Sequence, residues 1–220
     1  KELWRFDPKV KDASIPYTAA CRGVSYYEQP STPTLADAAL ADVAADLALP
    51  EPPPSVTRSA APGSRPACWA RIIEGTLDGR IIAVDADSGR PCANFGNNGQ
   101  VDITLGMGEV PPGYVSINSP PAIVRGVIVT GHQVLDGQRR DAPSGVIQAY
   151  DAITGKLRWA WDMDQPERSG LPPREQTYTR GTPNMWTTAT GDEALGLVYL
   201  PLGNSAGDYW SGSRPDNQNR

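Results

Sequence analysis

Hydrophobic and polar residues alternate through residues 144–162, SGVIQAYDAITGKLRWAWD. Alternation with a period of two is typical of a β-strand that buries one face. A short stretch follows Asp151 and ends at Gly155. A second alternating run of apolar and polar residues then ends with two tryptophans. A glycine at this place suits the positive φ angle that a tight turn needs. The pattern therefore predicts a β-hairpin.

Residues 78–96, DGRIIAVDADSGRPCANFG, repeat this pattern. The glycines and the aspartate of this copy lie 66 residues before the matching residues of 144–162, as Gly79 lies 66 residues before Gly145. Residues 3–7, LWRFD, match RWAWD at 158–162 and are predicted to be the closing strand of another copy. Repeated short antiparallel strands indicate a β-propeller, because its blades cannot bury their faces alone. An isolated pair of hairpins is the alternative.

By this count the 220 residues form one all-β domain, 1–220, which holds about two complete blades and parts of their neighbours. A propeller usually has four to eight blades, so we expect a fragment of a longer protein. An open fragment would expose sheet faces and would tend to self-associate. Trp159 is predicted to lie at a junction between sheets, and helices are predicted to be scarce.

An insertion at residues 31–66 departs from the strand pattern. Its first half is rich in alanine and is compatible with a short helix after Thr34, whereas the second half contains PEPPP and must be extended or disordered. The segment is interpreted either as a surface insertion without a functional role or as a helix that docks a partner.

Composition narrows the range of functions. The 22 prolines and 22 glycines favour turns, and six tryptophans with eight tyrosines favour packed structure over disorder. The net charge is −5 and the cations form no run, which argues against nucleic acid as a partner. No apolar run reaches the length of a membrane span, and the first residues lack the basic and then apolar segments of a signal peptide.

Three cysteines occur, Cys21, Cys68 and Cys92, without the close pairs that zinc sites use, and the chain has one histidine. Cys68 and Cys92 lie at the two ends of a predicted hairpin. They are expected either to form a disulfide, which would imply an oxidising compartment, or to be two separately buried thiols.

Five motifs in order resemble a known family. They are CRGVSYYE (21–28), SPPAIV (119–124), the hairpin 144–162, TPNMWTTATGDEALGLVYLPLGN (182–204) and DYWSGSRP (208–215). Together they resemble the dehydrogenases that depend on pyrroloquinoline quinone (PQQ), above all the membrane-bound quinoprotein glucose dehydrogenases and their quinate and polyol relatives. The resemblance implies an eight-bladed propeller with the flat quinone near its axis.

The resemblance also implies residues that bind the cofactor. Trp186 matches the tryptophan floor on which the quinone stacks, and an indole face is a suitable platform for a planar ring. Arg22 matches the arginine that pairs with carboxylate and quinone oxygens, for which a guanidinium is well suited. Tyr27 replaces a histidine that sugar-oxidising members often place over the quinone. Tyrosine could still cover the ring, but this departure puts glucose in doubt as the substrate.

Further positions are implied around the cofactor carboxylates and the metal. Ser119 and Ser144 match positions whose side chains or nearby amides hold the carboxylates, and Gly145 keeps the backbone close enough to do so, although either serine could simply serve a turn. Asp136 and Asn204 match acidic and amide positions near a metal, where oxygen ligands suit Ca²⁺ or Mg²⁺, although loop residues of these types often only cap turns.

By resemblance, the chain is expected to be part of a periplasmic oxidoreductase that oxidises glucose or a related sugar or cyclic polyol and passes electrons to ubiquinone. The parent protein would be anchored in the inner membrane by a segment outside this chain. The catalytic carboxylate and its lysine partner would lie in later blades, so the chain alone is expected to be inactive. The alternatives are a quinate/shikimate or polyol dehydrogenase and a non-enzymatic propeller scaffold. His132 matches no catalytic position and is expected to be structural.

Overall fold

A computed structural model describes residues 1–30, 65–210 and 212 of the chain. The helix expected after Thr34 lies outside the described residues. Within them, the only helix is a three-residue 3₁₀ turn, Asp12–Ser14, and all strand pairs are antiparallel. The expectation of an all-β fold with few helices is confirmed.

Two four-stranded sheets form the body of the structure. The first contains, in spatial order, β1 (Ser25–Glu28), β2 (Ala70–Gly75), β3 (Arg80–Asp85) and β4 (Gln100–Asp102). The second contains β6 (Ala122–Val124), β7 (Val127–Thr130), β9 (Ile147–Asp151) and β10 (Leu157–Trp161). Two short pairs complete the described strands: β5 (Val115–Ser116) with β8 (Gln133–Val134), and β11 (Thr190–Asp192) with β12 (Leu197–Tyr199).

The first strands of successive sheets are neighbours. Strand β6 contacts β1 of the preceding sheet and β11 of the following pair. In each large sheet the other strands follow its first strand in chain order, each one farther from these contacts. This is the arrangement of consecutive β-propeller blades, whose first strands lie innermost. The propeller expectation is confirmed, with two complete four-stranded blades and the first hairpin of a third.

The repeated turn has the same hydrogen bonds in both copies. Asp85 accepts the amide of Ser88 at 2.8 Å, and Asp151 accepts that of Thr154 at 2.7 Å. In each copy the glycine that ends the turn donates its amide to the aspartate carbonyl at 2.8 Å and has a φ near +68° or +67°. A third turn of this kind, Asp192 to Gly196, joins β11 to β12 and was missed by the sequence comparison.

Two predicted strands are wrong. After Gly89 the chain forms no strand, only isolated bridges from Pro91 to Val84 and from Gly96 to Gln100, and proline has no amide to donate to a ladder. The fourth strand of this sheet is β4 instead. Residues 3–7 form no strand with any described residue. The Trp4 indole instead donates to the carbonyl of Ala86 at 2.9 Å.

Each of the three turns accepts hydrogen bonds from the planar indole or guanidinium group of a residue that lies earlier in the chain. The donors are Trp4, Arg71 and Arg125, and the acceptors are carbonyls of the one or two residues after the turn aspartate. The aspartate binds amides inside the turn, so the carbonyls that follow it point outward toward the neighbouring blade. These contacts link successive blades through backbone atoms.

Arg71 is the most buried of these donors. Its guanidinium is fully buried and donates to Cys68 within its own sheet and to the carbonyls of Ala152 and Ile153 in the next, at 3.0 and 2.9 Å. Burial lowers the pKa of this group from its ordinary value. Since no carboxylate pairs directly with it in the described residues, its charge is held by carbonyl dipoles.

The core lies between the sheets. Its larger cluster includes Ile73, Phe95 and Ile128 together with the Cys68–Cys92 disulfide, so the structure has the first of the two alternatives, a disulfide, and not two separate thiols. Trp159 packs on a second cluster that joins Ala149 of the second sheet to Val198 of β12, as expected for a residue at a sheet junction. Among the described residues no helix is long or apolar enough to cross a bilayer.

We predict that Arg71→Met lowers the free energy of unfolding by about 2 to 4 kcal/mol, because the buried carbonyls lose their donor. Urea unfolding monitored by tryptophan fluorescence measures the effect. Arg158→Met is the matched control, since Arg158 is exposed and its ion pair with Asp151 is long, at 3.8 Å. This substitution should change the free energy of unfolding by less than about 0.5 kcal/mol. Equal effects of the two substitutions would contradict the proposed link between blades.

Candidate functional site

A cleft of about 340 Å³ opens among the segment before β1, the loops around β5 and β8, and the chain on either side of the third hairpin. This volume lies within the range of small-molecule sites. The lining combines aromatic, cationic and acidic side chains and is given by Pro16, Tyr17, Thr18, Ala20, Arg22, Asn118, Gln133, Val134, Asp136, Trp186, Asp208 and Tyr209.

Arg22 and Trp186 meet in this cleft although 164 positions separate them. Arg22 Nη1 donates to the Trp186 carbonyl at 3.1 Å and to Ser119 Oγ at 3.3 Å, and the guanidinium carbon lies 5.8 Å from the centroid of the indole ring. This is within cation–π range. Among the described residues, Nε and Nη2 of Arg22 have no partner, while 48% of Trp186 is exposed. Cation and indole are thus both available to a ligand.

Asn118 also lines the cleft and was missed by the sequence analysis, which singled out the adjacent Ser119. Its Nδ2 donates to Gln133 Oε1 at 2.7 Å, whereas its buried Oδ1 has no partner among the described residues. Ser119 Oγ donates to the Trp186 carbonyl at 3.1 Å. Ser119 therefore holds the Trp186 backbone from one side, and Asn118 Oδ1 is a buried acceptor behind the cleft lining.

The segment Thr182–Trp186 lies against two glycines, and a side chain at either position would force this segment to move. A Cβ at Gly145 would lie 1.8 Å from the Pro183 carbonyl oxygen, and one at Gly131 would lie 2.5 Å from Met185 Cβ. The Gly145 amide donates to Thr182 Oγ1 at 2.9 Å. Gly145 therefore acts beneath the floor and lies outside the cleft lining.

Ser144 is fully buried beside Gly145. Its Oγ accepts the amide of Val146 at 3.1 Å and lies 3.4 Å from Thr182 Oγ1. It supports the turn and the segment above it, and the cleft lining does not include it.

Two carboxylates line the opposite wall. Asp136 Oδ2 accepts from Asn184 Nδ2 at 2.6 Å, and Asp208 Oδ1 accepts from Asn204 Nδ2 at 2.8 Å. Burial raises the pKa of Asp136, the bond from Asn184 opposes this, and nearby Asp208 adds to it. The structure therefore brings Asp136 and Asn204 into one carboxylate and amide cluster and adds Asn184 and Asp208. Among the described residues, no group of three or more His, Cys, Asp or Glu side chains is placed to hold a metal.

Tyr27 lies apart from this lining. It is half-buried on β1, packs on the larger core cluster, and its hydroxyl is 3.2 Å from the position of a Cβ on Gly126. The structure thus places Tyr27 between the sheets rather than beside Trp186.

The chain matches over residues 1–220 a family model described as "PQQ: Glucose/ethanol/alcohol dehydrogenase, beta-propeller domain". The chain belongs to this PQQ-dependent dehydrogenase family. It is 48% identical over its whole length to the glycerol dehydrogenase large subunit of Gluconobacter oxydans, of which it covers 26%. It is also 35% identical to the quinoprotein glucose dehydrogenase of Escherichia coli, in a match that covers 100% of this chain and 24% of the relative. Its identity to the quinate/shikimate dehydrogenase of Acinetobacter baylyi is 35% as well, in a match that covers 97% of this chain and 24% of the relative.

The chain therefore spans about a quarter of the length of the curated relatives that it matches. The family match confirms the resemblance to quinoprotein dehydrogenases that the sequence motifs indicated. The individual roles of the cleft residues in this member of the PQQ-dependent family are proposals, which follow below.

His132 lies behind the cleft and is fully buried. Its Nε2 donates to the Ser144 carbonyl at 2.8 Å, and Nδ1 has no partner among the described residues. Burial lowers its pKa from 6.5 to about 4, and the bond to Ser144 opposes this shift. The side chain is neutral at neutral pH and has a structural position, although only one of its nitrogens is satisfied.

We predict that His132 makes the protein sensitive to acid. Because its folded pKa of about 4 is below 6.5, its contribution to stability is complete above about pH 6.5 and is lost as the pH falls toward 4. The loss should reach about 3 kcal/mol. Urea unfolding at several pH values should show a shallower decline for His132→Asn than for the wild type. Parallel curves for the two proteins would disprove the assignment.

Proposed function

We propose that the full-length protein is a PQQ-dependent dehydrogenase of polyols or sugars and that this chain supplies the floor and one wall of its cofactor site. The observation that carries the proposal is the meeting of the Arg22 cation with the half-exposed Trp186 indole in one cleft. A propeller that only scaffolds other proteins has no need to bring these two side chains together. The family match supports the same conclusion.

The cleft residues fit a flat, carboxylated quinone. An exposed indole offers a stacking surface, and the two unpartnered nitrogens of Arg22 can donate to carboxylate or carbonyl oxygens. Ser119 holds the indole segment in place. Arg22, Ser119 and Trp186 would therefore hold the cofactor directly, with Ser144 and Gly145 supporting them from below.

A hard divalent cation would be bound on the opposite wall. Asp136 and the amide oxygens of Asn184 and Asn204 are the ligand types that Ca²⁺ or Mg²⁺ prefers. Burial and nearby Asp208 raise the pKa of Asp136, and a cation bound there would stabilise its charge. Because the described residues provide too few carboxylates for a complete site, we propose that the remaining ligands come from the cofactor and from other parts of the protein.

The proposed reaction converts a hydroxyl carbon to a carbonyl. When bound, the quinone supplies the two-electron acceptor that takes the hydride equivalent from the substrate carbon. The hydroxyl proton goes to a carboxylate base that we expect outside this chain. The role of Arg22 is electrostatic, since its fixed positive charge stabilises negative charge that develops near the indole floor.

The relatives favour a polyol as the substrate. Identity to glycerol dehydrogenase large subunits is 47 to 48%, against 35% for the glucose and quinate enzymes named above. We therefore place glycerol-like polyols before glucose and before quinate or shikimate. The disulfide supports an oxidising compartment, and we propose the periplasm, an inner-membrane anchor elsewhere in the protein, and ubiquinone as the electron acceptor.

The decisive experiment uses the full-length protein reconstituted with PQQ and either Ca²⁺ or Mg²⁺. Dye reduction should depend on both additions and should be faster with glycerol than with glucose or quinate. No turnover with any of these alcohols would overturn the proposed function. The 220-residue chain, assayed beside it, should give no turnover above the blank and should self-associate in analytical ultracentrifugation, as expected for an incomplete propeller.

A second prediction concerns the floor. Trp186→Ala in the full-length protein should weaken PQQ binding by about 1 to 3 kcal/mol, because the stacking face and its burial are both lost. Equilibrium dialysis of PQQ measures this directly. Trp186→Phe is the matched control and should retain most of the affinity because it keeps a flat aromatic face. If Trp186→Ala binds PQQ as the wild type does, Trp186 is not the floor.

A further inference from the structure

Tyr17 combines a strained backbone with an exposed ring. Its φ angle is +41°, in the left-handed region that bulky residues rarely adopt, and 68% of the residue is exposed. Packing does not explain the strain, since the ring is not buried in a core. Tyr17 lies on the cleft that also contains Arg22 and Trp186. Strain of this kind is typical of residues held in place for binding.

Tyr209 lies on the same cleft and is 90% exposed. Its ring rests on the backbone of Gly137, where a Cβ would lie 3.4 Å from two ring carbons. Partial burial chiefly raises the pKa of Tyr17, and Tyr209, Asp136 and Asp208 raise it further, as expected for groups that share one opening. Two tyrosine rings thus stand at the cleft, each available on one side.

The charges of the lining bear on which substrate can bind above the proposed cofactor and metal. Its charged side chains are Arg22, Asp136 and Asp208, and the hydrogen bonds of Arg22 hold it beside Trp186. Asp136 is proposed to bind the cation, which leaves the Asp208 carboxylate to repel an anionic substrate and to accept hydrogen bonds from hydroxyl groups. Aromatic faces bind the C–H surfaces of compounds that carry such hydroxyls.

We propose that Tyr17 and Tyr209 determine substrate specificity by holding a neutral polyhydroxylated compound, through its C–H face, at the opening above Arg22 and Trp186. This inference rests on the proposed function. It selects glycerol-like and sugar substrates against carboxylated ones such as quinate. Asp208, anchored by Asn204, accepts a substrate hydroxyl from the same wall.

The test uses the full-length holoenzyme with glycerol, glucose and quinate as probes. Tyr17→Gly and Tyr209→Ala should each raise the KM for glycerol and glucose about three- to tenfold, with kcat changed less than about twofold and PQQ affinity unchanged. Tyr209→Phe should keep the wild-type KM, because the ring face is retained. The wild type should discriminate against quinate, and Asp208→Asn should lower the KM for quinate.

Stability measurements separate a binding role from a structural one. Glycine adopts a φ of +41° without strain, so Tyr17→Gly should leave the melting temperature unchanged or raised while the KM rises. Tyr26→Ala is the control, since Tyr26 is exposed and outside the cleft lining, and its KM should equal that of the wild type.

Unchanged KM values for Tyr17→Gly and Tyr209→Ala in an active enzyme would overturn this inference and leave the proposed function standing. A preference of the wild type for quinate would also overturn it. Failure of the wild type to oxidise any of the three compounds would instead reject the proposed function.

Discussion

Successive blades are held together by hydrogen bonds to the backbone carbonyls of one repeated turn. In each of three turns an aspartate binds the amides inside the turn, and the carbonyls after it accept from a tryptophan or an arginine of the preceding chain. Burial strengthens the bonds of Arg71 most, since a buried carbonyl left without a donor loses its hydration without compensation, whereas the Trp4 bond is half-buried and the Arg125 bonds are exposed. The position of each blade relative to the last, and hence of the cleft walls, depends on them.

Much of this could be predicted from the sequence because the turn is local. An aspartate followed four residues later by a glycine specifies the same bonds at Asp85 and Asp151 regardless of surroundings. The third copy, at Asp192, was missed although its aspartate and glycine have the same spacing, because the strand before the turn is only Thr190–Asp192 and contains no alternating apolar residues. Strand extent was less predictable: Pro91 cannot donate to a ladder, and pairing of residues 3–7 depends on neighbours that a local pattern does not contain.

The site was predictable only in outline. Motif resemblance singled out Arg22, Ser119 and Trp186, which the structure brings together over long separations. It did not reveal that Gly145 acts from beneath, or that Asn118 and Tyr209 complete the cleft. Those positions follow from tertiary packing between segments far apart in sequence, and no periodicity or spacing encodes it.

The glycines beneath the indole segment have an evolutionary consequence. Any side chain at Gly145 would collide with the Pro183 backbone, so the floor of the cleft has almost no sequence freedom. Tyr17 and Tyr209 face solvent and can be exchanged with little effect on packing. Under the proposed function, divergence toward new substrates is therefore expected at the rim, while the glycines beneath the indole segment stay fixed.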